Sequence, residues 1–281
     1  MLVVPADAGT TQTGQSVLAQ QMSSVNTQRF TGFAKLYSDS RPHPPKEATE
    51  LVLQYLRRPK SELTVDLGSG TGLSTAIWRD HATRVVGIEP TPDMIRQART
   101  DYPDLEFIEA SCYQTALPTG TADVVTCSQS FHWMEPVSTV AEVDRLLMTN
   151  GVFSVYDFTW PISWDWESEL AFTRLMRKVA QVLKNRPQQG ESVVYFPKSE
   201  HRKNIENSRK FRYVTEILFD HVEDCNPERY VNMALSQGQV QKLLKTGANE
   251  IEGAVEEFRQ SCARSKQTQM RVSYKMILAI K

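Results

Sequence analysis

The chain of 281 residues lacks any apolar run that approaches the roughly 18 residues of a membrane-spanning helix. Its first residues, MLVVPADAGTTQTGQSVLAQQ, also lack the basic start and long apolar stretch of a secretory signal. Residues 1–28 are rich in Thr, Gln, Ser and Gly, and we expect a flexible tail there. These absences favour a cytoplasmic protein without a membrane partner.

Cysteine is scarce, and no two cysteines lie close together in the sequence. The chain contains no CxxC pair and no Cys/His spacing typical of a metal site; its four cysteines are Cys112, Cys127, Cys225 and Cys262. Neither a zinc site nor a disulfide framework is indicated, so we expect no metal. Four reduced thiols are typical of a cytosolic protein.

An excess of basic charge is also absent, because 32 Lys and Arg residues face 33 Asp and Glu residues, for a net charge of −1. Nothing in this balance favours nucleic acid or an anionic membrane as a partner. The locally basic segment HRKNIENSRKFR, residues 201–212, lacks the aromatic interleaving and the broad positive face of a nucleic-acid surface. We interpret it as the solvated face of a helix.

Strand-like apolar segments alternate with helical patterns up to residue 158. The predicted strands are 63–67, 84–89, 105–110, 122–127 and 151–158, and the predicted helices are 44–57, 73–79, 91–99 and 138–148. This alternation is typical of βαβ units, which form a parallel sheet with helices on both faces.

The pattern changes after residue 158. Residues 159–210 are mostly helical and polar, and we predict a helical insertion or lid there. Two further segments, 213–220 and 270–280, alternate like strands, with helices predicted at about 227–246 and 248–263. We therefore predict one α/β domain over residues 29–281, with a Rossmann-like, doubly wound sheet of about seven strands. Most of these strands should be parallel, with one late antiparallel strand.

The segment VDLGSGTGLST, residues 65–75, places Gly68, Gly70 and Gly72 directly after the first predicted strand. Glycines permit close backbone approach to a ligand, and the next helix offers free N–H groups at its start. A triphosphate-binding loop needs a Gly-Lys-Ser/Thr ending, whereas Leu73 follows the last glycine here. A dinucleotide fingerprint needs GxGxxG, whereas the spacing here is GxGxG.

Two acidic residues flank this loop in the predicted fold. Asp66 precedes the glycines and suits a ligand with positive charge better than a pyrophosphate. Glu89 ends the second strand, where a carboxylate can accept hydrogen bonds from both hydroxyls of a ribose. NAD and S-adenosylmethionine (SAM) both carry that ribose, so the loop spacing is what favours SAM, with its sulfonium and ammonium groups.

Three blocks in this order resemble the class I SAM-dependent methyltransferases: VDLGSGTGLST, VVGIEP, and DVVTCSQSFHWME followed by a helix and LLMTNGVF. The resemblance is closest to the type 11, trans-aconitate methyltransferase-like, small-molecule branch. That branch often has a Tyr…Arg-Pro segment before the first strand, as in LYSDSRP, residues 36–42. The resemblance covers about residues 30–158 and implies in-line transfer of a methyl group from SAM to a small-molecule acceptor.

The resemblance also implies roles for individual residues. The glycine loop, with Asp66 and Ser69, would lie under the methionyl part of SAM, while Glu89 would hold the ribose and Pro90 would lie along the adenine. Arg41 would pair with the methionyl carboxylate. Further cofactor contacts would come from Tyr37, Ser111, Cys112, Ser128 and Gln129.

The segment FHWME, residues 131–135, follows the fourth predicted strand. His132 is a candidate general base if the acceptor has a proton to lose; otherwise it would orient the acceptor or simply pack at the strand end. Trp133, Trp160 and Trp164 are candidate walls of the substrate pocket. The alternative for the last two is that they anchor the insertion to the core.

Other functions remain open from the sequence. An RNA or protein methyltransferase is one, although the chain shows no target-recognition module and has Ser128-Gln129-Ser130-Phe131 in place of an NPPY-like tetrad. A SAM-binding protein without turnover and an NAD-dependent dehydrogenase are the others. No motif specifies the acceptor atom or the oligomeric state.

Overall fold

A computed structural model describes residues 2–3, 32–186 and 194–281 of the chain. Its centre is a seven-stranded sheet, whose strands in chain order are β1 (Ser61–Leu67), β2 (Ala82–Glu89), β3 (Glu106–Glu109), β4 (Ala122–Ser128), β5 (Leu147–Phe158), β6 (Tyr213–Asp224) and β7 (Gln269–Ile280).

The spatial order of the strands is β3-β2-β1-β4-β5-β7-β6. Strand β7 runs antiparallel to both of its neighbours, and the pairs from β3 through to β5 are all parallel. This arrangement confirms the predicted fold, including a single late antiparallel strand. The order reverses between β1 and β4, which is the topological switch point where such sheets bind ligands.

Helices cover both faces of the sheet. In chain order they are α1 (Ala34–Ser40), α2 (Lys46–Leu56), α3 (Leu73–Ala76), α4 (Pro92–Asp101), α5 (Pro136–Leu146), α6 (Trp166–Asn185), α7 (His201–Asn207), α8 (Pro227–Leu235), α9 (Gly238–Lys245) and α10 (Glu252–Arg264). Across the described ranges, no helix is long and apolar enough to cross a membrane.

Adjacent residues of the central strands enter different parts of the core. Val124 and Val152 lie in one cluster of buried side chains, while Val125 and Phe153 lie in the other. This division follows from the strand period of two, which points successive side chains to opposite faces. Because helices cover both faces of the sheet, the sequences of the central strands are continuous apolar runs.

Three helix predictions are wrong in extent. The helix predicted to continue to residue 148 ends at Leu146, because Leu147 already pairs with Ala122 as the first residue of β5. The single helix predicted over 227–246 is two helices, α8 and α9, with a break at Ser236 and Gln237. The helix predicted over 73–79 is the short helix α3.

The segment after β5 contains α6, α7 and a two-residue strand, Val194–Tyr195, which pairs in parallel with Leu2–Val3. The rest of the predicted N-terminal tail lies outside the described residues. The lid role of residues 159–210 stays a prediction.

Candidate cofactor site

A cleft lies at the carboxyl ends of β1, β2 and β4, beside the switch point of the sheet. Its empty volume, counting the part open to solvent, is about 1080 Å³. The chain before β1 contributes one wall of the cleft through Tyr37, Arg41, Pro42 and Pro44. The opposite wall comes from the loops that follow the strands. Pockets that bind cofactors have this position in the fold.

The glycine loop forms the floor of the cleft. The N–H groups of Gly68 and Ser69 donate to the carbonyl of Ile88 at 2.8 and 3.1 Å, which ties the loop to β2. Gly70 has a φ of 56°, and a β-carbon there would meet no atom within 4 Å. Gly68, Ser69 and Gly70 line the cleft, so the backbone is bare where a ligand would lie.

Gly72 also has a positive φ, of 87°, but it does not line the cleft. A β-carbon at this position would lie 2.8 Å from Cδ2 of Tyr102 and 2.9 Å from Cζ of Phe107. Both separations are too short for real carbon contacts. Gly72 is therefore required by the packing of the loop against the sheet rather than by ligand access.

The Asp66 carboxylate lies below the loop, fully buried and outside the lining of the cleft. Its Oδ2 accepts hydrogen bonds from Ser74 Oγ at 2.6 Å and Thr75 Oγ1 at 2.8 Å, which fixes the start of α3. Its Oδ1 has no partner among the described residues. Burial raises the pKa of Asp66 to about 6, against the opposing effect of the two hydroxyl donors.

Glu89 lines the cleft at the end of β2 and is largely buried. Its Oε2 accepts from the N–H of Gly70 at 3.0 Å, and its Oε1 accepts from the N–H of Thr91 at 2.8 Å. Burial raises the pKa of this carboxyl group, while the backbone donors oppose the shift. The carboxylate thus joins the loop to the start of α4, and each oxygen keeps a lone pair for a ligand hydroxyl.

The remaining walls follow β2, β3 and β4. Pro90, Ser111, Cys112, Ser128 and Gln129 all line the cleft, as the resemblance implies. Burial raises the pKa of the Cys112 thiol to about 12, so it is neutral and unreactive at physiological pH.

Arg41 is a partly buried cation in the wall of the cleft. Its Nη2 donates to the carbonyl of Ser236 at 3.2 Å, and its Nε has no partner among the described residues. The guanidinium carbon lies 4.6 Å from the ring centre of Tyr37 and 5.4 Å from that of Trp160. Burial lowers the pKa of Arg41, which measures the cost of holding this charge away from water.

The structure brings Trp133 to the cleft but leaves the other predicted acceptor-site residues outside its lining. Trp160 packs against Phe158 of β5 with ring centres 5.3 Å apart, and Trp164 stacks on Tyr230 of α8 at 4.7 Å. Both rings therefore join the insertion to the core.

His132 does not line the cleft either, although it neighbours Trp133. Its Nδ1 lies 3.3 Å from Oδ1 of Asp157, and its side chain is buried. Burial lowers the pKa of His132 to about 4 in spite of the neighbouring carboxylate, so the imidazole is neutral at physiological pH.

Sequence reasoning missed several residues of the cleft. Thr91 is the N-cap residue of α4 and Met94 lies in its first turn, and the position of that helix directly after Glu89 could have indicated them. Phe158 and Tyr274 face each other across β5 and β7. No local signal marks that pair, since it depends on two distant segments meeting in the sheet.

Comparison with known proteins identifies the domain. Residues 65–155 match the family model described as a methyltransferase domain. The chain is 30% identical over 155 residues to a trans-aconitate 2-methyltransferase of Afipia carboxidovorans, covering 54% of this chain and 56% of that protein. It is also 30% identical to an uncharacterized methyltransferase of Mycobacterium bovis, covering 41% of this chain and 46% of that one. The chain spans about half the length of the curated relatives it matches.

Solved structures share the fold. A protein from Anaeromyxobacter dehalogenans, described as a proposed type II methyltransferase, superposes with a TM-score of 0.60 at 18% identity, over 85% of this chain and 97% of that one. The YcgJ protein from Bacillus subtilis superposes with a TM-score of 0.52 at 16% identity, over 84% of this chain and 99% of that one. The resemblance indicated by the sequence motifs is thus confirmed: residues 65–155 match a methyltransferase-domain family, and the chain shares the fold of these solved structures.

Proposed function

We propose that this protein is a SAM-dependent methyltransferase that acts on a small-molecule acceptor. The observation that carries the proposal is the cleft of the matched domain, where bare backbone at Gly70 lies next to a fixed carboxylate at Glu89. A nucleoside with a cationic side chain needs both features, a close backbone approach and an acceptor for its sugar hydroxyls.

The residues of the cleft fit SAM by a test that does not depend on the family match. Four buried polar atoms of residues that line the cleft have no hydrogen-bond partner among the described residues: Arg41 Nε, Ser69 Oγ, Thr71 Oγ1 and Gln129 Nε2. Buried polar atoms are rarely left unpaired, so a polar ligand or its bound water is expected at this place. SAM would offer ammonium, carboxylate and hydroxyl groups to them.

The acidic and the cationic residue of the cleft suit two different parts of SAM, its ribose and its methionyl carboxylate. Of the described residues that line it, Glu89 is the acid and Arg41 is the cation. Glu89 would accept from the ribose hydroxyls, as its free lone pairs allow. The unpartnered Nε of Arg41 would donate to the methionyl carboxylate, which would also offset the cost of burying the guanidinium.

When bound, SAM supplies a methyl group activated by its sulfonium. The residues of this chain would contribute alignment and the exclusion of water, which together can lower a barrier by roughly 7–11 kcal/mol. Gln129 has a φ of 52°, and the carbonyl of Tyr156 accepts its backbone N–H at 3.0 Å, so this cleft residue is rigidly held. Trp133 and Tyr37 would cover the reacting centre with aromatic surface.

A small acceptor is supported by the relative named for trans-aconitate. A carboxylate acceptor would need no general base. The location of His132 outside the cleft lining agrees with transfer that does not remove a proton through this imidazole.

The experiment that tests the proposal uses SAM with an isotopically labelled methyl group. The protein is incubated with this cofactor and, in separate reactions, with the small-molecule, RNA and protein fractions of cell extract, and the products are identified by mass spectrometry. We expect the label in a small organic acceptor, with release of S-adenosylhomocysteine. Label that enters only RNA or protein would contradict the small-molecule proposal, and cofactor binding with no transfer to any fraction would contradict turnover.

A further inference from the structure

Three buried side chains converge next to the cofactor cleft without lining it. His132 lies in the short 3₁₀ turn after β4, Asp157 lies near the end of β5, and His201 is the first residue of α7. Their side chains are only 7%, 9% and 1% exposed. The proposed methyl transfer uses none of them.

The distances within this cluster are long for hydrogen bonds. His132 Nδ1 lies 3.3 Å from Asp157 Oδ1, and His201 Nε2 lies 3.5 Å from Asp157 Oδ2. The hydrogen bonds of proteins are mostly 2.7–3.2 Å long. Two ligands held about 2.1 Å from one metal ion at tetrahedral or octahedral angles lie about 3.0–3.5 Å apart.

The imidazole nitrogens of the cluster are also unpartnered. Within the described ranges, His132 Nδ1 and both ring nitrogens of His201 have no hydrogen-bond partner, and Asp157 Oδ1 has only the ammonium of Lys198 at 2.9 Å. One donor atom from each of the three residues lies within 4.8 Å of the other two. Such a group of buried, unsatisfied atoms calls for an explanation, and an ion that joins them provides one.

Lys198 occupies the edge of the cluster. Its Nζ lies 2.9 Å from Asp157 Oδ1 and 2.9 Å from Gln129 Oε1. The lysine side chain is 28% exposed, unlike the three buried groups, so it has a path to solvent. The ammonium provides the positive charge that the buried carboxylate needs when no other cation is bound.

We propose that His132, Asp157 and His201 form a binding site for a divalent metal ion of the zinc class, in which the ion replaces the ammonium of Lys198. Two imidazoles and one carboxylate suit Zn²⁺ and related ions, with a fourth position left to water. The ion would tie α7 to the sheet and to the turn that carries Trp133. Sequence spacing does not indicate this site, because its ligands come from three distant segments.

The test uses the full-length protein after treatment with a chelator. Calorimetry with ZnCl₂ measures affinity and stoichiometry, and the visible spectrum of the Co²⁺-substituted protein reports the coordination geometry. We expect one ion per chain. His201→Gln should weaken Zn²⁺ binding by about 100-fold or more. Loss of a residue that only hydrogen-bonds to a metal ligand already lowers metal affinity by about 10- to 100-fold. Lys198→Met should strengthen binding by about tenfold, because it removes a competing charge.

A matched control and a folding check complete the design. His43→Gln removes a histidine that is 64% exposed and distant in sequence from the cluster, and it should leave Zn²⁺ affinity unchanged. Circular dichroism establishes whether each variant is folded. If His201→Gln is unfolded, the Zn²⁺ affinity of Lys198→Met relative to that of wild type tests the proposal instead. Wild-type protein that binds no Zn²⁺, equal affinity in His201→Gln, or no gain in Lys198→Met would each overturn the proposal.

Discussion

At the scale of single residues, we expect cofactor recognition to depend most on the carboxylate of Glu89. The sequence predicted this role because a carboxylate at the end of the second strand can accept hydrogen bonds from both hydroxyls of a ribose. The structure adds that the carboxylate also accepts from the N–H groups of Gly70 and Thr91. It therefore shapes the loop as well as lining the cleft, and the hydrogen bonds to the loop have no sequence signature.

Glu89→Gln should weaken SAM binding by about 1–3 kcal/mol, or roughly 5- to 150-fold in Kd, because a charged acceptor becomes neutral and one oxygen is lost. Isothermal titration calorimetry measures the effect. Glu109→Gln is the matched control, since Glu109 lies directly beside Glu89 in the sheet but is exposed and outside the cleft. Equal effects of the two substitutions would remove Glu89 from the site.

The two loop glycines Gly70 and Gly72 have different tasks, although their sequence contexts look alike. Gly70→Ala should weaken SAM binding, because its β-carbon enters the cleft, and should lower stability less than Gly72→Ala, because it adds only the strain of a positive φ and no clash. Gly72→Ala should mainly lower the free energy of unfolding, by about 1–3 kcal/mol, through the clash with Tyr102 and Phe107. Urea unfolding and calorimetry of both variants measure the contrast, and the reverse pattern would contradict this assignment.

At the scale of elements, the sequence predicted all seven strands of the sheet but not all helix boundaries. Strands of the core are marked by apolar runs and by the turns that bound them. The early start of β5 at Leu147 could not be predicted, because it depends on pairing with Ala122 rather than on local preference. The places of Trp160 and Trp164 were left open for the same reason, since only packing decides between cleft and core.

Trp164→Ala should lower the free energy of unfolding by about 3–5 kcal/mol, as expected when a large buried ring is removed. Its stacking on Tyr230 and its distance from the cleft lining mean that SAM affinity of the folded variant should stay close to wild type. Trp166→Ala is the control, because that ring is 71% exposed and its loss should change stability by less than about 0.5 kcal/mol. A large loss of SAM affinity in Trp164→Ala alone would instead support a role in the cleft.

At the scale of the whole molecule, burial of a carboxyl group beneath the loop links stability to pH. The pKa of Asp66 is raised to about 6 in the folded chain, so the folded state holds a proton there that the unfolded chain has lost by pH 5. The state that binds more protons is favoured at low pH. The contribution of Asp66 to stability therefore falls as pH rises from about 4 to about 6.

Asp66→Asn should remove this dependence while it keeps an oxygen for Ser74 and Thr75. The free energy of unfolding of Asp66→Asn, minus that of wild type, should increase between pH 4 and pH 7 by something on the order of 3 kcal/mol, from a shift of about two pKa units. Urea unfolding at a series of pH values measures the difference. A pH-independent difference would show that Asp66 is ionised throughout this range.

The most direct measurement of the central claim is a calorimetric titration of the purified protein with SAM, S-adenosylhomocysteine and NAD. The bare loop at Gly70 and the carboxylate of Glu89 should hold one molecule of SAM or S-adenosylhomocysteine per chain, and NAD should give no binding signal. Binding of NAD without binding of SAM would contradict the assignment of the cleft.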